Sequence, residues 1–348
     1  MNSTPLGRRT FASAAALAVA SIAAPTVWAQ SRIEKRRVAI AVGGKSACHY
    51  LPLTVAEQLG YFKAEGLEVE ISDFAGDSHA LAAVVGGSAD VVSGAYEHTI
   101  NLQSKNQFFQ AFVLQGRAPQ IAMGVSSKAM PRYTSLADLK GKKIGISAPG
   151  SSTHMVASLV LSRAGLSVSD VSFIGVGTAA NALSALRSGQ IDALCNTEPV
   201  MTMLEQKAEV RIVADTRTLK GTIDVFGGLM PAGCLYAPSD FLKMNPSSAQ
   251  ALANAIVRGL KWLQTAGPGD IIKTVPENYL LGDRGLYLAS FNKVREAIAL
   301  DGLIPEEGTK VALNALASFE PGIKPQKINL AQTFTNEFAQ RAKQKFKA

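Results

Sequence analysis

The stretch SAPGSSTHM, residues 147–155, gathers more small polar donors than any other part of the chain. It sets Gly150, Ser151, Ser152, Thr153 and His154 between the end of an apolar strand pattern and the start of a helical one. The first turn of a helix leaves backbone N–H groups unpaired and carries partial positive charge, so such a loop can hold a small anion without a lysine. Hydrogen bonds to a charged acceptor contribute roughly 1.5 to 3 kcal/mol each, and three or four in a closed cleft approach the ~8 kcal/mol of micromolar affinity. The plainer use of the same residues is N-capping by Ser151 or Ser152.

Ligands of open α/β sheets lie beyond the carboxyl ends of the strands, which directs attention to the other strand-end loops. These carry Ser46, His49 and Tyr50, then Ser78, then Tyr96 and Glu97, then Thr178, and finally Glu198 before Pro199. Tyr50 and Tyr96 suit either an apolar wall around a ligand or an aromatic contact between domains. A carboxylate at Glu97 or Glu198 suits a ligand ammonium or hydroxyl; an interdomain ion pair or a plain exposed glutamate is the alternative, favoured for Glu97, whereas the ligand role is favoured for Glu198.

Several enzyme motifs fail on inspection. AIAVGGKS has the Gly-Lys-Ser ending of a phosphate-binding loop but Ala39 where its first glycine is required. GVGTAA, from Gly175, has dinucleotide spacing, yet only a short helix and no suitably spaced acid follow. Cys48, His49, His98 and His154 lack the close pair spacing of a metal site beyond Cys48-His49, so no metal or cofactor is expected. No Gly-x-Ser-x-Gly elbow surrounds Ser152, and catalysis is not expected. Cys48, Cys195 and Cys234 are too few for a disulfide framework; a Cys195–Cys234 pair and three buried thiols are both compatible with the sequence.

The elements that position these loops are doubled. Ala80, Leu81, Ala83, Gly87 and Asp90 recur as Ala182, Leu183, Ala185, Gly189 and Asp192, a uniform offset of 102 residues. VAIAV (38–42) is a continuous apolar run suited to a buried parallel strand. A helix over LTVAEQLGYFKAEG, the strand LEVEI, the helix ALAAVVGG and the strand ADVVSG follow. The second copy runs KIGIS, HMVASLVLSRAG, VSFIGV, NALSALRSG and IDALCN. Each unit reads as βαβαβ with a parallel sheet. Amphipathic helices after residue 245 must cover the first unit. The fold class is therefore α/β, with two βαβ-type domains and a ligand cleft between them. Domain one comprises residues 37–120 and 229–348, and domain two is inserted as residues 121–228.

Residues 1–29 read as a cleaved export leader, with Arg8-Arg9 in twin-arginine order, an Ala-rich stretch too short to span a bilayer, and a small-residue cleavage site at Ala29. Its loss lowers the formal charge from +8 to +6. The bases are scattered, so no nucleic-acid partner is expected; the mature chain is expected to be soluble, monomeric and periplasmic.

Taken with the doubled unit, four segments resemble bacterial solute-binding proteins of the nitrate, sulfonate and taurine class, which includes thiamine-pyrimidine binders. They are PLTVAEQLGYFKAEGLEVEI, ALAAVVGGSADVVSG, SLADLKGKKIGISAPGSSTHM and NALSALRSGQIDALCNTEP. The resemblance implies a two-lobed, type II periplasmic binding protein that closes on a solute and docks on an inner-membrane ABC permease with its ATPase. It also implies anion contacts from Ser151, Ser152, Thr153 and His154, and a cleft acid at Glu198. The leading expectation is a small anion, sulfonate- or taurine-like, or nitrate; a thiamine-pyrimidine, aromatic or carboxylate solute, and a sensory role, are the alternatives. Pyrimidine-synthesising enzymes of this scaffold use a dense cysteine cluster, which this chain lacks.

Overall fold

Ten short strands form two five-stranded sheets of the same plan. The computed structural model describes residues 33–348; the leader predicted over residues 1–29 lies outside them. The first sheet contains β1 (Arg37–Gly43), β2 (Glu68–Phe74), β3 (Val91–Ala95), β4 (Phe109–Leu114) and β10 (Gly233–Pro238), in the order β2-β1-β3-β10-β4. The second contains β5 (Ile121–Ser126), β6 (Lys143–Ile146), β7 (Ser172–Gly175), β8 (Ala193–Thr197) and β9 (Val210–Asp215), in the order β7-β6-β8-β5-β9. It is drawn wholly from the chain between β4 and β10.

The sheets are mixed, where the sequence pattern predicts parallel ones. β1 pairs in parallel with β2 and β3, and β6 with β7 and β8, as helical crossovers require. β10 runs antiparallel between β3 and β4, and β5 antiparallel between β8 and β9. Both reversed strands enter their sheet from the other half of the molecule, without a crossover helix to impose parallel direction.

The repeated residues have a structural explanation. Gly87 and Gly189 follow the helices Asp77–Val85 and Ala180–Ser188 with φ of 77° and 79°, a left-handed turn that costs glycine least. Asp90 then accepts the Ala39 N–H through Oδ2 at 3.0 Å, and Asp192 accepts the Lys143 N–H through Oδ2 at 2.9 Å. In each half one aspartate thus clamps the returning strand to the first strand.

The predicted helix over residues 53–66 is two helices, Leu51–Gln58 and Tyr61–Ala64, separated at Gly60. The last predicted helix begins only at Glu337 and runs to Phe346. The helices Pro246–Thr265, Arg284–Val294 and Glu306–Ala317 complete the cover. One apolar cluster joins Ile40 and Leu235 of the first sheet to Ile144 and Cys195 of the second. All three cysteines are buried, unpaired thiols. Among the described residues no helix is long and apolar enough to cross a membrane.

Candidate functional site

The carboxyl ends of the parallel strands and the amino ends of β5 and β10 converge on one cavity. From the first half come Gly43 at the end of β1, His49 in the short Cys48–Tyr50 turn, Asp77 after β2, and Glu97 after β3. From the other half come Ser147, Ser152, Thr153, Thr178 and Thr197, each beyond the end of β6 or β7 or at the end of β8. The space open to the centres of water-sized spheres is about 20 Å³, room for about one water, so the cleft is closed.

Hydrogen bonds across the cavity hold it closed. The Ser152 hydroxyl donates to Asp77 Oδ2 at 2.9 Å. The Ser78 N–H donates to Ser151 Oγ at 3.2 Å, and the two hydroxyls lie 3.1 Å apart. The Cys48 N–H donates to the Glu198 carbonyl at 3.0 Å. Gly76 permits this approach: a Cβ there would lie 2.8 Å from Ser151 Oγ and 2.9 Å from the Ala148 methyl. Behind the wall, the Tyr50 hydroxyl donates to Asp77 Oδ1 at 2.6 Å and fixes that carboxylate.

The cavity is acidic. No lysine or arginine lines it, whereas Asp77 and Glu97 both do. Glu97 is 2% exposed, and neither of its carboxylate oxygens has a hydrogen-bond partner. Ser152 lies close, but its single hydroxyl proton goes to Asp77. Burial pushes the Glu97 pKa up, because the charged form is cut off from water. His49, 8% exposed, also keeps an unpartnered Nδ1. Burial lowers its pKa to about 4 against the opposing pull of Asp77, so its ring is neutral at pH 7. Buried polar atoms without partners are uncommon in folded proteins, and two such groups facing one cavity mark a place prepared for polar contacts.

The structure divides the residues predicted from sequence. His49, Glu97, Ser152, Thr153 and Thr178 line the cavity. Tyr50 stands behind it, positioning Asp77, and Ser78 and Ser151 form the cross-cleft clasp. Ser46 is half-buried and absent from the lining. Tyr96 faces away, its hydroxyl 2.6 Å from Thr333 Oγ1. His154 accepts the Gly150 N–H at Nδ1 and packs edge-on against Phe173, outside the cavity.

Glu198 is placed outside the cavity lining. Its carboxylate accepts the Thr202 N–H and hydroxyl at 2.9 and 2.8 Å and a hydrogen bond from Arg217 Nη1 at 2.8 Å. Arg217 has a wholly buried side chain that also meets Glu205 and Asp215. An acid at a strand end facing inward and one facing the cleft are alike in sequence. The partner, 19 residues away, decides between them. Conversely Asp77, Ser147 and Thr197 line the cavity without having been singled out. Asp77 had a usable signal, an acid directly after the glycine of a strand-end loop.

With two sheets of order 2-1-3-n-4 and a cavity at their facing strand ends, the molecule has the two-lobed fold of periplasmic binding proteins. Residues 48–266 match the NMT1/THI5-like family model, and the chain belongs to that family. A protein of Bordetella bronchiseptica RB50 of known structure is 58% identical, with a TM-score of 0.90 over 91% of this chain and 100% of that one. The alkanesulfonate-binding protein SsuA of Xanthomonas axonopodis pv. citri, bound to MOPS, is 19% identical with a TM-score of 0.67, covering 88% of this chain and 100% of that one. The periplasmic nitrate-binding protein NrtA of Synechocystis PCC 6803 is 15% identical with a TM-score of 0.66, over 90% and 89% of the two chains. At such identities these two share the fold alone. YtlA of Bacillus subtilis, which carries the name of a binding protein, is 22% identical over 231 residues, 66% of this chain and 67% of its own length.

Proposed function

We propose that this protein is the extracytoplasmic solute-binding component of an ABC importer, which closes two lobes over one small polar solute and presents it to a membrane permease. Residues 37–120 with 229–348 would form one lobe and residues 121–228 the other. The observation that carries the reading is the cavity itself. Its lining comes from the strand ends of both sheets, and hydrogen bonds cross it, so a solute held there reports its presence through closure. Family membership and the binding-protein relatives agree with this reading, and the leader predicted from sequence suits a periplasmic site. The sulfonate or nitrate expected from sequence would meet Ser147, Ser152, Thr153, Thr178 and Thr197, but also two carboxylates and no cation, and would have to displace Asp77 to receive the Ser152 hydroxyl.

A thermal-shift screen over sulfonates, nitrate, carboxylates, amines and aminopyrimidines tests the reading. A solute at a hundred times its dissociation constant adds about 2.7 kcal/mol of stability. At least one class is expected to raise the melting temperature, with the gain reduced in the Ser152→Ala/Thr153→Ala double variant. An unshifted melting temperature with every class would remove the receptor role.

A further inference from the structure

The chain crosses between the halves twice, at residues 115–120 and 216–232, and the two crossings lie side by side. The Ala232 N–H donates to the Gly116 carbonyl at 2.9 Å, and the Gln120 N–H to the Thr216 carbonyl at 3.0 Å. A hinge of this kind absorbs a change of angle in a few backbone torsions, so its stiffness is set by what spans it. The helix Arg284–Val294 and the turn Arg295–Ala297 span it here. They are held to the first crossing by Arg117, whose N–H donates to the Ala297 carbonyl at 2.8 Å and whose Nε donates to the Glu296 carbonyl at 2.9 Å.

Three side chains of this segment reach the other half. Leu286 is, among the described residues, the only buried member of the second sheet's apolar cluster that comes from outside residues 121–228. Lys293 Nζ donates at 2.6 Å to Glu205 Oε2, on the helix Val200–Gln206, and the same oxygen accepts from Arg217 Nη1 at 2.9 Å. Burial raises the pKa of the Glu205 carboxyl, but these two cations hold it below its ordinary range. Glu296 Oε1 accepts the Leu219 N–H at 2.9 Å, a donor in the first turn of the helix Leu219–Phe226 that its own helix cannot use, at the end where negative charge is favoured.

We propose, resting on the two-lobe receptor reading above, that Lys293 and Glu296 form an electrostatic latch on the hinge that favours the closed arrangement independently of solute. Both lie outside the cavity lining, Lys293 half-buried and Glu296 exposed, so dissolved salt reaches the latch and solute does not. Because affinity includes the energy of closing, such a latch tunes binding without touching the solute.

Pulsed electron paramagnetic resonance between spin labels at Lys63→Cys and Lys128→Cys, exposed positions in opposite halves, tests this; the three native thiols are buried. At low salt and without solute, the Lys293→Gln/Glu296→Ala variant is expected to show a longer mean distance than wild type while retaining a cooperative melt. Lys293→Arg alone is expected to keep the wild-type distance. Salt at about 0.5 M, where the screening length is about 4 Å, is expected to move wild type toward the double variant. Any solute found by the thermal screen should bind the double variant roughly three- to tenfold more weakly. An unchanged distance in the double variant at low salt, beside a longer one in Ser152→Ala, would overturn the latch and leave the receptor reading standing. No lengthening in either variant would remove the opening motion on which both readings rest.

Discussion

The hydroxyl of Ser152, from one half of the molecule, donates to Asp77 Oδ2, from the other, at 2.9 Å, in the middle of the lining shared by both sheets. In the proposed receptor role, opening of the two halves breaks this clasp, so whatever weakens it would shift the balance between open and closed forms. Solute affinity measures that balance as well as direct contact.

Replacing Ser152 by Ala is accordingly expected to weaken solute binding by more than tenfold, since a hydrogen bond to a carboxylate is worth about 1.5 to 3 kcal/mol. Calorimetry measures the loss, and small-angle scattering of the ligand-free variant should show a larger radius of gyration than wild type. An unchanged radius together with unchanged affinity would show that the clasp does not govern closure.

Gly76→Ala is a steric counterpart. The backbone there is extended, with φ near −174°, so alanine brings no conformational strain of its own. Its methyl would instead press on Ser151 and Ala148 of the facing half at 2.8 and 2.9 Å. Affinity is expected to fall at least tenfold while denaturant-measured stability changes by less than about 1 kcal/mol, because overpacking is relieved by opening the cleft. A loss of stability matching the loss of affinity would place the strain inside one half.

Glu198 and Glu97 should separate by variant. Removing Glu198 deprives the wholly buried Arg217 of a partner at 2.8 Å, and Glu198→Ala is expected to cost about 3 kcal/mol in urea unfolding. The affinity of the remaining folded protein should stay near wild type, since Glu198 does not line the cavity. Direct loss of affinity without loss of stability would return Glu198 to the site.

His49 sets a pH dependence. Its pKa in the folded chain is about 4 against 6.5 for a free imidazole, so the unfolded chain takes up a proton first as pH falls. The stabilisation from this group is fully present above pH 6.5 and is lost between pH 6.5 and about 4. Its size is up to roughly 3 kcal/mol at 1.36 kcal/mol per unit. The difference in unfolding free energy between wild type and His49→Gln should therefore shift against wild type over that interval. A constant difference would mean that His49 is protonated alike in both states.

The repeat of Ala80 to Asp90 at Ala182 to Asp192 made two similar α/β halves legible in sequence alone, because a helix, a left-handed glycine and a clamping aspartate are local requirements. The donors of Ser152 and Thr153 were legible for the same reason, as a strand-to-helix loop exposes N–H groups wherever it occurs. What needed the tertiary structure was the fate of each acid. Glu97 and Glu198 both follow strand ends, yet Arg217 neutralises one while the other has no cationic partner. The antiparallel entry of β5 and β10 was equally hidden, since it depends on which half of the molecule a strand arrives from. Periodicity and turns are written in neighbouring residues; charge pairing and strand direction are settled by contacts between residues far apart in the chain, and on those contacts the character of the cavity depends.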